Sequence, residues 1–142
     1  MNRSFEQTRS PVFSETDMAG IVHFASFFPY MEDCEHDFYR SLNLSVTDMH
    51  DDSGVNIGWP RVHASCDYKR PLRFEEPFII KLTIQKIGKK TIEYNFDFTS
   101  TDKVITYATG SLIVVCVKFN ESGMDSIEIP ANINALLSND TI

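Results

Sequence analysis

Cysteine is scarce in this sequence, with three copies in 142 residues, at Cys34, Cys66 and Cys116. An odd number at wide spacing excludes a disulfide framework and the paired spacing of a zinc site. We therefore expect three small buried thiols in a reducing compartment. The first residues lack the apolar stretch of a signal peptide, and no apolar run reaches the length of a membrane span. These absences predict a cytoplasmic protein with no membrane segment.

Basic residues are also fewer than acidic residues. Thirteen Lys and Arg residues stand against twenty Asp and Glu, which gives a net charge of −7 and a pI near 5.0. This balance argues against general nucleic-acid binding, which requires a basic surface, but leaves room for a local basic patch that holds a phosphorylated ligand. The four histidines show no metal-ligand spacing, so we expect no metal site.

Apolar residues are abundant enough for a proper core. They make up 42% of the chain, and eleven phenylalanines dominate the aromatic residues. A chain of this length normally forms one domain, and no repeat, linker or low-complexity stretch divides it. We therefore expect a single domain over residues 1–142, with fraying of the last residues.

One segment has helical periodicity. Its apolar residues recur at steps of 3, 1, 3, 3, 4 and 4, which places them on one face of a helix. They are Phe24, Phe27, Phe28, Met31, Cys34, Phe38 and Leu42. Ser26 is the expected N-cap, which puts Pro29 at the third helical position, and Asn43 is the expected stop. Glu35 lies near the apolar face and is expected to have a buried partner. Glu32 is expected to pin the helix to a strand, with an approach to the active site as the alternative.

Strand patterns surround this helix. A first strand is predicted at residues 4–14, at a sheet edge because of Pro11, with Phe5, Val12 and Phe13 facing inward. A polar loop at 45–58 precedes a strand at 59–70. Three longer strands follow, at 78–87, 91–99 and 104–119, and the continuous apolar run Leu112–Val117 suggests a strand covered on both faces. A short helix is expected at 131–138.

The predicted order is one strand, one long helix and four strands in a meander. Because strict β–α–β alternation is absent, the pattern indicates an α+β architecture in which an antiparallel sheet wraps the helix.

The stretch from Phe13 to Phe28 carries the candidate chemistry. It places an acidic residue, Asp17, on a tight turn with Gly20 beside the start of the helix. Helix starts offer unpaired N–H groups and partial positive charge. Together they can attack or activate at a carbonyl and hold the resulting oxyanion. The alternative is a strand–turn–helix joint with a solvated aspartate, and spacing alone does not separate the two.

The residues Thr16-Asp17-x-x-Gly20-Ile21-Val22-x-Phe24, followed by Phe27-Phe28-Pro29-Tyr30, resemble those of the hotdog-fold acyl-CoA thioesterases. The resemblance is to the 4-hydroxybenzoyl-CoA thioesterase family and its Tol–Pal-associated relatives, and it spans nearly the whole chain. It implies an antiparallel five-stranded sheet around one long central helix. Two positions depart from common relatives, because Phe27 stands where many carry Tyr and His23 occupies a variable position.

By this resemblance, Asp17 is the catalytic carboxylate, as nucleophile or general base, and the Phe24 backbone N–H polarises the thioester carbonyl. Gly20, Val22 and Phe27 belong to the substrate-binding set. His23 either joins that set, lining the acyl pocket or orienting water, or is structural. A hairpin tip formed by Lys89, Lys90 and Thr91 is expected to bind the coenzyme A phosphates. The alternative is that this tip is an ordinary solvated turn. A second basic group, Lys69, Arg70 and Arg73, is expected to be a solvated face, with the alternative that it flanks the same groove.

The expected reaction is hydrolysis of an acyl- or aroyl-CoA to the free acid and coenzyme A. No cofactor is implied, since coenzyme A is part of the substrate. The resemblance also implies a homodimer joined through sheet edges, often paired into a homotetramer, with the site between subunits. Two alternatives stay open: a non-catalytic module that binds acyl-CoA or acyl-carrier protein, and a hydratase or dehydratase on the same fold.

Overall fold

A computed structural model describes residues 2–138. The residues expected to fray, 139–142, lie outside this range. The described chain contains two α-helices, α1 (Phe27–Ser41) and α2 (Ala131–Ser138), and two single 3₁₀ turns at Phe13–Glu15 and Phe24–Ser26. Its strands are β1 (Ser4–Arg9), β2 (Ile57–Gly58), β3 (Arg61–Tyr68), β4 (Phe78–Ile87), β5 (Thr91–Ser100), β6 (Thr106–Val115), β7 (Val117–Asn120) and β8 (Gly123–Ser126).

Five strands form the main sheet in the order β1-β4-β5-β6-β3, and every neighbouring pair is antiparallel. Helix α1 packs against it. On β5, alternate side chains are buried against the helix side, as predicted; they are Ile92, Tyr94, Phe96 and Phe98. The α+β class and the five-stranded antiparallel sheet are therefore confirmed. None of the helices within residues 2–138 combines the length and apolar character needed to cross a membrane.

The predicted four-strand meander is wrong. Strand β3 pairs with β6, at the far edge of the sheet, and not with β4, its successor in the chain. The reason is that both edges of β4 are already occupied, one by β1 and the other by β5. The chain from 69 to 77 therefore crosses from one side of the sheet to the other.

The first predicted strand is too long. Strand β1 ends at Arg9, and the chain then bends into the turn Phe13–Glu15. Val12 is 54% and Phe13 80% exposed, so the inward positions predicted for them are wrong, whereas Phe5 packs against the core as expected. Strand β1 is an edge strand, as predicted from Pro11.

The apolar run predicted as one strand at 104–119 is divided in two. It breaks at Cys116, whose N–H donates to the Lys90 carbonyl at 2.7 Å, and continues as β7. Strand β7 belongs to a second sheet with order β2-β7-β8. Within β6, Leu112 and Val114 are buried while Ile113 is only half-buried, so one face is fully covered rather than both.

Helix α1 begins and ends where its sequence predicts. Ser26 occupies the N-cap position, Pro29 the third helical position, and Asn43 after the end adopts a left-handed conformation with φ of 61°. The Ser26 side chain makes no capping bond, because its hydroxyl donates to the Glu15 carbonyl at 3.2 Å. Two of its acidic residues bind one arginine of β3. Arg61 contacts the buried Glu35 at 2.5 Å and the more exposed Glu32 at 3.3 Å. These contacts pin the helix to the edge strand, which confirms the expected roles of both carboxylates.

Candidate active site

The candidate catalytic aspartate lies on a short hairpin between the first 3₁₀ turn and the second. The Asp17 N–H donates to the Ile21 carbonyl at 2.9 Å, and the Gly20 N–H donates back to the Asp17 carbonyl at 3.0 Å. Gly20 has φ of 78°, which a residue with a Cβ rarely adopts. The glycine therefore allows the turn that presents Asp17.

A distant segment fixes this hairpin in place. The Val22 N–H donates to the Leu72 carbonyl at 2.7 Å, and the Phe74 N–H donates to the Gly20 carbonyl at 3.2 Å. Ile21 forms an antiparallel bridge with Arg73. The loop that follows β3 thus holds the hairpin through backbone hydrogen bonds. Asp17 therefore lies on a fixed turn and not on a free loop.

The Asp17 carboxylate is exposed and oriented by its own turn. Its Oδ1 accepts a hydrogen bond from the Ala19 N–H at 2.8 Å. Within residues 2–138, no cation forms an ion pair with this carboxylate, and its second oxygen has no hydrogen-bond donor. One oxygen is therefore held and the other is available to a substrate or a water molecule.

The second 3₁₀ turn supplies a free donor. His23 is its N-cap, and the imidazole Nδ1 accepts from the Ala25 N–H at 3.1 Å. The Ser26 N–H donates to the His23 carbonyl at 2.9 Å. Across the described part of the chain, the Phe24 N–H has no acceptor, as expected for the first amide of a turn. This is the amide predicted to polarise a carbonyl.

A pocket of about 400 Å³ joins these groups. Its lining contains Asp17 and Phe24 together with aliphatic side chains and two further aromatic rings. The full lining is Asp17, Ile21, Val22, Phe24, Phe27, Tyr68, Lys69, Arg70, Pro71 and Leu72. The structure thus brings together four of the residues predicted for the site, Asp17, Val22, Phe24 and Phe27.

The aromatic wall of this pocket is tightly packed at its base. Phe27 is 3% exposed, and its ring lies 5.3 Å from Tyr68 and 5.1 Å from Phe98, both edge-on. Phe24 is 62% exposed. Phe27 therefore forms the floor of the pocket and part of the core, while Phe24 forms an open rim.

Asp17 also borders a second, more open cavity of about 630 Å³. Here Gly20 joins the exposed apolar side chains of Phe13, Met18 and Phe74. Gly20 therefore lines this second cavity and not the pocket that contains Phe24. His23 lines neither cavity.

The two groups of basic residues lie at different ends of the sheet. Lys69 and Arg70 are exposed, as expected, and they also line the pocket beside Asp17, which is the alternative of a basic group flanking the groove. The hairpin tip of Lys89, Lys90 and Thr91 lies near the opposite end of the sheet, where Thr91 pairs with Val115. The structure of one chain therefore does not bring this tip to Asp17.

Sequence reasoning missed a half-buried support for the turn, Glu15. Its Oε1 accepts from the Tyr30 hydroxyl at 2.7 Å and from the Val12 N–H at 2.9 Å, and Arg9 lies 3.9 Å from its other oxygen. Burial and the Glu15 carboxylate raise the pKa of Tyr30, so its hydroxyl stays protonated as a donor. The pattern Val12-x-x-Glu15 carries only the glutamate half of a capping box, since valine has no side-chain acceptor. Tyr68 stands in the stretch Val62-x-x-x-x-Asp67-Tyr68, which gives weaker support to the family resemblance, but no spacing assigned it to a site with Phe24, 44 residues before it.

Thiol and metal chemistry find no support around this pocket. Burial raises the pKa of Cys34 to about 12 and of Cys116 to about 11, so neither thiol is a ready nucleophile. Both are buried as expected, whereas Cys66 is only half-buried, so the prediction of three buried thiols is wrong for Cys66. Among residues 2–138, no three His, Cys, Asp or Glu side chains cluster as metal ligands.

Comparisons with known proteins point to one family. The family model described as Thioesterase-like superfamily matches residues 11–137. A 1,4-dihydroxy-2-naphthoyl-CoA hydrolase of Nostoc punctiforme is 32% identical over 106 residues, which cover 74% of this chain and 70% of the relative.

Solved structures agree in fold. A 1,4-dihydroxy-2-naphthoyl-CoA thioesterase from Synechocystis superposes with a TM-score of 0.81 at 21% identity, covering 94% of this chain and 95% of that one. An Aquifex aeolicus protein gives 0.80 at 28% identity, covering 94% and 98%. With its helix, its antiparallel sheet and a family match over nearly its whole length, the chain belongs to the thioesterase-like superfamily and has the hotdog fold.

Proposed function

We propose that this protein is an acyl-CoA thioesterase that hydrolyses an acyl- or aroyl-CoA to the free acid and coenzyme A. One observation carries the proposal. The Asp17 carboxylate, with one oxygen that accepts no hydrogen bond within residues 2–138, lines the same apolar pocket as Phe24, whose N–H has no acceptor there. The amide N–H donates a hydrogen bond to the thioester oxygen on which negative charge develops, and the carboxylate attacks the carbonyl or activates the attacking water. The curated relative from Nostoc punctiforme is named for the same class of reaction.

Two routes use this pair of groups. In the first, Asp17 takes a proton from water, the water oxygen attacks the carbonyl carbon, the carbon–sulfur bond breaks, and the proton passes to the leaving thiolate. In the second, Asp17 attacks the carbonyl and releases the thiolate, and water then hydrolyses the mixed anhydride. The thioester suits both routes, because its carbonyl is electrophilic and a thiolate leaves readily.

The pocket supports an aromatic acyl group. Phe24, Phe27 and Tyr68 provide ring faces and edges, and Leu72 closes the apolar wall. Relatives named for 1,4-dihydroxy-2-naphthoyl-CoA make fused aromatic thioesters the first class to assay. Within the superfamily, the motif around Asp17 supports a relationship to the 4-hydroxybenzoyl-CoA thioesterases.

We propose a homodimer joined through β3. This strand is paired to β6 on one side only, and its Val62 is 60% exposed. An unpaired edge of this length invites a second strand. Antiparallel pairing of two β3 strands about a two-fold axis would set the Arg61 end of one copy beside the Tyr68 end of the other.

This pairing explains the location of the hairpin tip. Within one chain, Arg61 lies level with Val114 and hence with Ile92, whereas Tyr68 lies level with Ala108 and Phe98. The partner subunit's Lys89, Lys90 and Thr91 would therefore lie near the pocket. The partner's β5 would be three strands from β3, which is about 14 Å across the joined sheet. An extended pantetheine arm can span that distance and bring the coenzyme A phosphates to the lysines, which bind phosphate as point charges.

The assay is thiol release from aromatic, short-chain and long-chain acyl-CoAs. Asp17→Asn should lower kcat by at least about 100-fold, the size of a positioned base or nucleophile, with the folded state intact by circular dichroism. Asp52→Asn, which removes an exposed carboxylate outside both cavities, is the matched control. Undiminished release by Asp17→Asn contradicts the assignment, and tight binding of acyl-CoA without release indicates a binding module.

Mixing variants tests the shared site. Asp17→Asn and the double variant Lys89→Ala/Lys90→Ala should each be impaired alone. Co-refolded at equal amounts, half of the dimers are mixed and each contains one intact site, so about a quarter of wild-type activity should return. If no activity returns although ultracentrifugation shows mixed dimers, the lysines do not serve the partner's pocket.

A further inference from the structure

One peptide group next to the proposed oxyanion donor is held at both ends by side chains. The carbonyl of Phe24 accepts a hydrogen bond from the Tyr68 hydroxyl at 2.9 Å. The N–H of the same peptide, that of Ala25, donates to His23 Nδ1 at 3.1 Å. Both polar atoms of this peptide are therefore engaged, while the neighbouring Phe24 N–H has no partner within residues 2–138.

The same two side chains also enclose the Phe24 ring. The His23 imidazole stacks on it with centroids 4.5 Å apart and planes 29° apart. The Tyr68 ring meets it edge-on at 6.5 Å and 89°. His23 and Tyr68 thus fix both the backbone and the side chain of Phe24, although His23 itself lies outside the pocket lining.

This support is needed because the turn has little of its own. The 3₁₀ turn spans three residues, and its backbone bond runs from the Ser26 N–H to the His23 carbonyl at 2.9 Å. Short 3₁₀ turns have poor hydrogen-bond geometry and do not hold themselves rigidly. A donor that stabilises developing charge works only when its direction is fixed before the reaction.

We propose that His23 and Tyr68 are positioning residues that clamp the Phe24–Ala25 peptide and so aim the Phe24 N–H at the thioester oxygen. The proposal rests on the function proposed above for that N–H. It also replaces the role expected for His23 in the acyl pocket, since its ring nitrogen is used as a turn cap and its ring face is covered by Phe24.

Kinetics of matched variants test the clamp. Tyr68→Phe removes only the hydroxyl, and His23→Ala removes the cap. Each variant should lower kcat about fivefold, which is the rate change that corresponds to the loss of one hydrogen bond. KM should stay within about twofold of the wild-type value, because the Phe24 N–H binds the oxygen more strongly in the transition state than in the bound substrate. His23→Asn should restore kcat, since Asn also accepts at an N-cap. Tyr107→Phe is the control, because its hydroxyl binds Glu76 away from the pocket.

Two further readouts separate positioning from folding. Amide hydrogen exchange at Ala25 should accelerate in His23→Ala and not in Tyr107→Phe. The double variant Tyr68→Phe/His23→Ala should lose less than the product of the single losses, because both bonds hold one peptide.

The clamp is overturned if Tyr68→Phe and His23→Ala keep wild-type kcat, or if they change KM alone. A failure of the underlying function looks different: Asp17→Asn would then keep its turnover in the same assay, whatever the clamp variants do.

Discussion

The contact between Glu35 of α1 and Arg61 of β3 allows a prediction whose size follows from burial. Glu35 is 1% exposed, and Arg61 donates to both of its carboxylate oxygens, at 2.5 and 3.3 Å. Arg61→Ala would leave that carboxylate in the interior without its counter-charge. Losing one member of a buried pair costs about 3 to 5 kcal/mol. Because 30% of the Arg61 side chain is exposed, we expect the lower end, about 3 kcal/mol of unfolding free energy.

The loss should depend on pH. Burial raises the pKa of Glu35, and Arg61 opposes that rise, so the pKa rises further when Arg61 is removed. A carboxyl group with a higher pKa in the folded state favours folding below its unfolded pKa, about 4.3. That contribution is lost as the pH rises through the folded pKa. Arg61→Ala should therefore be less destabilised at about pH 5 than at about pH 7.5.

Urea unfolding followed by circular dichroism at both pH values measures this effect. Glu32→Gln is the matched control, because Glu32 binds the same arginine at 3.3 Å but is 56% exposed. Such surface pairs are worth about 0 to 1 kcal/mol. Adding Glu35→Gln to Arg61→Ala should recover stability at the higher pH. The reasoning is refuted if Arg61→Ala unfolds like the wild type, or if its deficit is the same at both pH values.

Three further variants or treatments have defined outcomes. Phe27→Ala should lower the free energy of unfolding by about 3 to 5 kcal/mol in denaturant melts, because the ring is buried and its loss leaves a cavity. Gly110→Ala should cost about 1 to 3 kcal/mol in the same assay, since an added Cβ would overlap the buried Met31 sulfur and lie 3.5 Å from the Ser65 carbonyl oxygen. Iodoacetamide on the native protein at mildly alkaline pH should alkylate half-buried Cys66 before Cys34, whose pKa is raised to about 12; equal rates, read by peptide mass spectrometry, would contradict this.

Local patterns were sufficient where the structure is local. The 3.6-residue periodicity and the Ser26 position placed α1 to within a residue of its ends. β-Branched residues indicated β4, and strict alternation indicated β5. Sheet order is not a local property. It required knowing that β4 already has two neighbours, which appears only when β1 returns from the start of the chain to pair with it. For the same reason, the sequence predicted a meander in place of an edge strand at β3.

The candidate site also has a part that is local in sequence and a part that is not. Asp17, Gly20 and Phe24 lie within eight residues, so their spacing revealed the turn and the helix start. The opposite wall of the pocket comes from 68–72, which the backbone bond between Val22 and Leu72 brings under the hairpin. No pattern within either segment encodes that contact. The sequence therefore left two positions open for Lys69 and Arg70, a solvated face and the edge of the groove, and the structure shows both residues exposed at the pocket.

The openness of the pocket is itself an argument for a second subunit. Electrostatic stabilisation of an oxyanion is strong only where water is excluded. In one chain, Phe24 is 62% exposed, Tyr68 is 46% exposed, and Asp17 is exposed as well. These groups lie at the Tyr68 end of β3, the edge that the proposed dimer covers. Edge pairing would thus bring Lys89 and Lys90, which we propose bind the coenzyme A phosphates, to the pocket and, in the same step, remove water from the carboxylate and the amide. A variant that stays monomeric should therefore lose kcat as well as affinity for coenzyme A, and Val62→Glu, examined by ultracentrifugation and thiol release together, tests both losses at once. A monomeric Val62→Glu protein with wild-type kcat would show that one chain forms the complete site.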